Sequence, residues 1–321
     1  MREIGGYLEL EDFGRAPYHT GAIELDSARS CLSYLIELRG IRSIVLPDLM
    51  CDAVALACDR MGCSYRMYQV GEDFFPVWDN LLLADGEWLY LADYYGTLSE
   101  KAVERAIAVS NGRVIVDEVQ GFFRRPWIGL DTLYTCRKFF GVPDGAYLVI
   151  RDGSRLVRKL PICRSSGCMA HVLGRCEDGG SGHYAEYLLS EDAIGANGPE
   201  VMSEVTRRLM AGIDYGRVKT VREHNFAELH RLLGEKNLLD PGEPEGPYMY
   251  PFLVHNASNV RQELAKQGIY IPVLWPNVLH QCSVESVAYR YAKNIMPLPI
   301  DQRYDGETMH ELSNALKKYL E

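Results

Sequence analysis

Lys138 lies in "DTLYTCRKFFGVPDGAYLVI" (131–150), after a strand-like run and before two phenylalanines, a Gly-Pro-Asp-Gly turn and a second strand. An ammonium group belongs in water. Between two buried strands, Lys138 is either on a solvated loop or held inward to do chemistry. An amine held against apolar surroundings gives up its proton more readily and can add to a carbonyl carbon. Asp117 sits in the apolar run "RVIVDEVQ" (113–120), where a carboxylate at a strand end can pair with a ring nitrogen. Ser27, Ala28 and Arg29 open the helix-like "SARSCLSYLIELRG" (27–40) and offer a hydroxyl, backbone N–H groups and a cation. A helix start with those donors can hold a phosphate.

A lysine for an aldehyde, an acid for a ring nitrogen and a helix start for a phosphate together describe a pyridoxal phosphate site. In this expectation Lys138 bonds to the aldehyde carbon, is displaced by an incoming amine and then moves a proton between two carbons. Asp117 keeps the ring nitrogen protonated, so the ring can accept the electrons of a developing carbanion. Gln120 hydrogen-bonds near the ring oxygen, and Thr135 gives its hydroxyl to the phosphate.

Each residue also has a plainer reading. Lys138 is then a solvated side chain, and Asp117 a loop acid or helix N-cap. Ser27 serves equally as an N-cap, a role compatible with phosphate binding, and Arg29 makes a surface ion pair. Later in the chain, Arg303 in "DQRY" could grip a substrate carboxylate with two bonds, or simply pair with Asp301 or Asp305. Trp275 and His280, in "VLWPNVLHQC", could line a substrate pocket or serve packing.

These residues must be positioned by the elements around them. The first half alternates helix-like stretches (27–40, 51–62, 99–112) with strand-like ones (43–48, 64–70, 87–96, 113–120). That alternation predicts an α/β fold: a mostly parallel central sheet flanked by helices, with ligands at the carboxyl ends of the strands. A Gly-, Ser- and Cys-rich stretch (165–182) reads as a loop, and 184–194 and 199–237 as helical with a break near Gly212. Strands at 248–254 and 269–275, a helix at 259–268 and a closing helix predict a smaller C-terminal α/β domain. The division is expected at 1–210 and 211–321.

Composition narrows the function class. The chain has 321 residues, 47% hydrophobic and 24% charged, with a net charge of −10 and no long Lys/Arg block. A nucleic-acid or anionic-membrane surface is not expected. The acidic start "MREIGGYLELEDFG" lacks a signal peptide's apolar stretch, and no apolar run reaches membrane-span length, so a cytoplasmic protein is expected. The nine cysteines then read as free, mostly buried thiols. Cys163, Cys168, His171 and Cys176 are zinc-ligand types, but their spacing matches no CxxC knuckle, and no metal site is expected.

The motifs resemble those of the DegT-type (DegT/DnrJ) aminotransferases, pyridoxal-phosphate enzymes of fold type I that mostly act on keto sugars. "DEVQ" (117–120) resembles that family's Asp-x-x-His/Gln motif, and "TCRKFFGVPDGAYL" its Ser…Lys…Gly-x-Gly segment, which makes Lys138 the Schiff-base lysine. "DSARSCLSYLI" resembles the phosphate-binding helix start, "LADYYG" the His-x-Tyr-Gly turn with Tyr94 and Tyr95 near the cofactor, and "MPLPIDQRYDGETM" the Leu-Pro segment before a final helix. The Asp117–Lys138 gap is shorter than in the sugar enzymes, as is the chain. Met50 or Cys51 stands where an aromatic usually stacks on the ring. The resemblance implies an aminotransferase that takes its amino group from an amino acid such as glutamate, works on a keto sugar or similar small ketone, and forms a homodimer. The same cofactor also supports dehydration, decarboxylation or condensation, and a non-catalytic relative that binds cofactor or sugar is the remaining alternative.

Overall fold

Five strands of the larger sheet run parallel because each is returned to the same edge by a crossover. The structure, a computed structural model, describes residues 4–180, 182–196 and 198–320. Its strands are β1 (Ile23–Leu25), β2 (Ser43–Pro47), β3 (Ser64–Tyr68), β4 (Trp88–Ala92), β5 (Val114–Asp117), β6 (Asp131–Thr135), β7 (Ala146–Val149), β8 (Tyr250–Leu253) and β9 (Ile295–Leu298). The helices are α1 (Ala28–Arg39), α2 (Asp52–Arg60), α3 (Glu100–Ser110), α4 (Ala170–Asp178), α5 (Tyr184–Ala193), α6 (Glu204–Ala211), α7 (Tyr215–Leu233), α8 (Ala257–Ala265), α9 (Val278–Gln281), α10 (Val287–Asn294) and α11 (Gly306–Lys317).

The seven-stranded sheet has the order β1-β7-β6-β5-β4-β2-β3. Strands β3, β2, β4, β5 and β6 are parallel, whereas β7 is antiparallel to both β6 and β1. Two reversals leave β1 pointing the same way as β6. Asp117, Thr135, Ser27 and the residues after β2 and β4 therefore all leave strands at one edge. Strands β4, β5 and β6 are buried at every position, which is why they read as unbroken apolar runs. Helix α1 begins where Ser27 Oγ accepts from the Ser30 N–H at 3.2 Å, and ends at Gly40 in the left-handed region, φ 62°.

Three apolar clusters hold the chain. The largest packs α1, α2 and α3 against the large sheet. A second joins α7, α8 and α11 to the antiparallel β8–β9 ladder through Phe226, Leu229, Phe252, Met296 and Leu312. The third is aromatic: Phe122, Phe123, Tyr134, Phe139, Phe140 and Tyr147 meet Met202, Met210 and Val218. The two phenylalanines after Lys138 thus anchor its loop. The turn after them needs Gly145: its φ is 120°, and an added Cβ would lie 2.9 Å from Thr206 Cγ2.

Two expectations are corrected. No strand forms at 269–275; β9 at Ile295–Leu298 pairs with β8 instead. Pro272 and Pro276 remove donors from that run, while Pro251 and Pro297 face each other in the ladder, where an antiparallel pair can dispense with its N–H groups. The expected loop 165–182 contains α4. Its Gly174 is packed so close to the His183 ring that any Cβ would overlap it. Among the described residues no helix is long and apolar enough to cross a membrane.

His19 makes the aromatic cluster sensitive to acid. Its ring stacks on Tyr134 at 3.8 Å, and Nε2 donates to the Phe122 carbonyl at 2.8 Å. Burial pushes its pKa down from 6.5 to about 4, against a smaller opposing effect of that hydrogen bond. The unfolded chain therefore takes up this proton at higher pH than the folded one. The stability is fully present above the ordinary pKa and is lost as pH falls through the window from 6.5 to about 4, on the order of 3 kcal/mol in all. His19→Phe should flatten the fall in urea-unfolding free energy between pH 7 and pH 4 by about that amount relative to the parent. Equal slopes for the two proteins would refute this account.

Candidate active site

A cavity of about 180 Å³ opens at the carboxyl edge of the large sheet. Asp117 lies in its wall at the end of β5 and is only 2% exposed. One carboxylate oxygen accepts from the Tyr90 hydroxyl at 2.7 Å, and the other from the Val119 N–H at 2.8 Å. Burial raises the Asp117 pKa, while the nearby Lys138 charge and the Tyr90 hydroxyl oppose the rise. A carboxylate oxygen has two lone pairs, so Asp117 keeps acceptor capacity for a donor inside the cavity.

Lys138 lines the same cavity just beyond β6. The side chain is exposed, so the expectation that it is enclosed needs correction: the anchored part is the backbone, through buried Phe139 and Phe140. Its Nζ lies 5.6 Å from the centre of the Tyr248 ring, a cation–π distance. Gln120 is buried in the cavity wall, and its Oε1 accepts from the Tyr95 N–H at 2.7 Å. That bond fixes the amide orientation and leaves the NH2 as the group available to a ligand. Tyr95 itself does not line the cavity; its contribution is this backbone donor, presented at φ 60°. Tyr94 does line it, with its hydroxyl held by the Leu49 carbonyl at 2.6 Å and its ring edge-on to Trp275 at 5.6 Å.

Part of the wall is cationic. Ser27, Ala28, Arg29 and Thr135 all line it, together with Arg137. The first-turn N–H groups of α1 have no carbonyl partner within the helix. The Arg29 guanidinium donates to the main-chain carbonyls of Glu191 and Ile194, so it is not the surface ion pair of its plainer reading. Arg137 forms an ion pair with the Glu191 carboxylate, and its Nε is buried without a partner. Met50 and Cys51 form the wall before α2, and Trp275 closes another side.

Other sequence candidates fall outside the cavity. His280 is exposed on α9. Arg303 donates twice to Asp301, at 2.7 and 2.8 Å, which is its plainer reading. Cys163 gathers with Asp26 and Glu200 rather than with Cys168, His171 and Cys176. The sequence reading missed Arg137, Glu191 and Asp93. Arg137 had one signal, its place beside Lys138; Glu191 comes from a helix far along the chain and had none. Asp93 is buried in the cavity wall, bound by Arg124 at 2.9 Å and by the Leu98 N–H at 2.8 Å, and so pins the turn that carries Tyr94 and Tyr95. Its neighbour Glu118 is pushed well above the usual carboxylate range by burial and by the Asp93 charge.

Solved structures with the same fold include a sugar aminotransferase, CalS13, from Micromonospora echinospora, with a TM-score of 0.66 at 14% identity over 93% of this chain and 87% of that one. A putative sugar aminotransferase, Spr1654, from Streptococcus pneumoniae in its PLP form has a TM-score of 0.65 at 13% identity over 92% and 86%. A DegT DnrJ EryC1 StrS aminotransferase from Brucella abortus has a TM-score of 0.65 at 12% identity over 93% and 86%. The chain therefore has the fold type I architecture of pyridoxal-phosphate-dependent aminotransferases, as expected from its motifs. No protein-family profile matches the sequence, and no curated relative does.

Tyr90→Phe should expose the balance at Asp117. Removing the hydroxyl leaves a buried carboxylate short of a donor, at a cost of about 1–3 kcal/mol in unfolding free energy at pH 7. The cost should shrink as pH falls and Asp117 takes up its proton. A loss of the same size at every pH would mean that the hydroxyl matters only for packing.

Proposed function

We propose that the chain is a pyridoxal-phosphate-dependent aminotransferase that moves an amino group from an amino acid to a keto sugar or a similar small ketone. The observation that carries this reading is the shared cavity. A buried, doubly hydrogen-bonded Asp117 and Lys138 lie in its wall, and the start of α1 with the unpartnered Arg137 Nε forms its cationic part. That set fits the cofactor: Asp117 for the ring nitrogen, Lys138 for the aldehyde, Gln120 for the ring oxygen, and Ser27, Ala28, Arg29, Thr135 and Arg137 for the phosphate. The sugar aminotransferases that share the fold support the same choice.

When bound, pyridoxal phosphate supplies an electron-withdrawing ring that stabilises a carbanion on the substrate. Asp117 holds the proton on the ring nitrogen, and its burial strengthens that interaction. Lys138 Nζ would take a proton from one carbon of a bound substrate and return it to another. Gln120 offers amide donors in a direction fixed by Tyr95. Tyr94, Trp275 and Met50 exclude water from the apolar face. A large unit carrying the cofactor and a small C-terminal unit, divided near residue 210, belong to this reading. So does a cytoplasmic homodimer: Tyr184, Tyr187, Leu188 and Leu189 of α5 are exposed apolar side chains that a second copy could cover.

Reconstitution with pyridoxal phosphate should give a visible band, and borohydride should fix the cofactor mass on the Lys138 peptide. Adding glutamate should bleach the band. Lys138→Ala should abolish the trapping, and Asp117→Asn should slow bleaching by about 10²–10⁴-fold. A band that glutamate leaves unchanged would point to another reaction of the same cofactor, and no band at all would overturn the assignment.

A further inference from the structure

Arg222 is a buried cation that the cavity does not explain. It lies on α7 and is 1% exposed. Among the described residues no carboxylate forms a salt bridge with it. Asp301 lies close enough to influence it but is already bound by Arg303. Its partners are neutral oxygens: the carbonyls of Pro247 at 3.1 Å, Tyr248 at 3.0 Å and Phe139 at 3.2 Å, and Gln302 Oε1 at 3.1 Å. The guanidinium also lies 4.7 Å from the centre of the Phe139 ring. Burying a charge without a counter-charge is costly, so the arrangement calls for a reason.

All of these partners converge on one place. Phe139 follows Lys138 directly. The Tyr248 ring is the one that faces Lys138 Nζ at 5.6 Å. Gln302 bonds to Arg222 and also donates its own amide to the Phe139 carbonyl at 2.8 Å. The Arg303–Asp301 ion pair flanks Gln302 on both sides in sequence. A single carbonyl, one residue from Lys138, thus receives donors from two segments far along the chain, and a five-donor planar fork joins them.

We propose that Arg222 and Gln302 form a clamp on the Phe139 carbonyl that positions Lys138 for its reaction. Lys138 is exposed, so no packing around the amine fixes its direction. Direction must come from the backbone behind it and from the Tyr248 ring, and Arg222 holds both. Arg222 touches no reacting group and is a positioning residue. The proposal rests on the assignment of Lys138 made above, and its test has an arm independent of that assignment.

The variants are Arg222→Met, which keeps the volume and removes the fork, and Gln302→Leu, which removes one donor at a half-buried position and guards against a failure of Arg222→Met to fold. Hydrogen exchange needs no cofactor. The N–H groups of Phe139, Phe140 and Val142 bond within the 136–142 loop, and their exchange should accelerate at least tenfold while the unfolding midpoint in urea stays near the parent's. In the reconstituted protein, glutamate deuterated at its α-carbon should bleach the visible band with a larger isotope effect than in the parent, at a KM within twofold. A purely structural role would leave the isotope effect unchanged. Parent-like exchange and a parent-like isotope effect in both variants would overturn the clamp. Faster exchange in variants of a chain that never captures the cofactor would support the clamp and overturn the function proposed above.

Discussion

A carboxylate buried at the end of a strand that is covered on both faces is the constraint around which this fold is arranged. Desolvation pushes Asp117 toward the neutral form, and only specific partners hold it back. Strand register supplies them. Ala92 of β4 pairs with Asp117 of β5, and Tyr90, two residues earlier, shares its face. Tyr90 is long enough to reach the carboxylate, and Ala92 is small enough to leave space beside it. The same alternation that buries β4 therefore delivers both a hydroxyl donor and an opening in the wall. The third influence, the Lys138 charge, comes from the next parallel strand and requires that β5 and β6 end at the same edge.

The question raised by an ammonium group between strands has a two-part answer. The amine does not pay for burial, because it remains exposed. The chain on either side is buried instead, with Cys136 before it and Phe139 and Phe140 after it in the aromatic cluster. A short exposed segment between deeply buried anchors has little freedom of its own. Polar connections complete the restraint: the Cys136 N–H donates to the Gly145 carbonyl at 3.0 Å, and the Gly145 N–H donates to Asp26, just before α1, at 2.6 Å. The lysine loop and the start of α1 are thereby bound to the same glycine. This is why "GVPDG" has to be a tight turn and not merely a flexible one.

Much of this was legible in the sequence, for physical reasons. Strands buried on both faces leave unbroken apolar runs, and Ser27, Ser99 and Gly40 mark helix ends by local hydrogen bonds or by φ. Asp117 and Lys138 stood out because a charged residue at the end of such a run is unusual. What failed depends on distant partners. The strand at 248–254 was legible, but its partner β9 was not, and α4 was hidden by the Gly-, Ser- and Cys-rich composition around it. Residue type alone could not tell a cation that faces the cavity from one that does not. Arg303 looked available, yet Asp301 two residues away holds it, whereas Arg137 looked ordinary and faces the cavity.

Arg137 also resolves an apparent conflict of charge. The chain carries a net charge of −10, so its overall field repels anions. The cavity wall nevertheless sets Arg29, Arg137 and Lys138 beside Asp93, Asp117 and Glu191. Asp93 is engaged by Arg124, and Glu191 by Arg137. Arg29 and Arg137 both reach Glu191 near the α1 N-terminus, whereas the Lys138 charge acts on the buried Asp117 carboxylate. Field strength inside a partly desolvated cleft depends on these near neighbours far more than on distant surface acids, which salt screens within about a Debye length of ~10 Å. In the reading proposed above, an acidic protein would hold a phosphate beside Arg29 and Arg137 and a protonated ring nitrogen at Asp117, provided that the ligand is long enough to satisfy both at once. A ligand with only one of these charges would leave the other pole unmatched, and the cavity would discriminate against it.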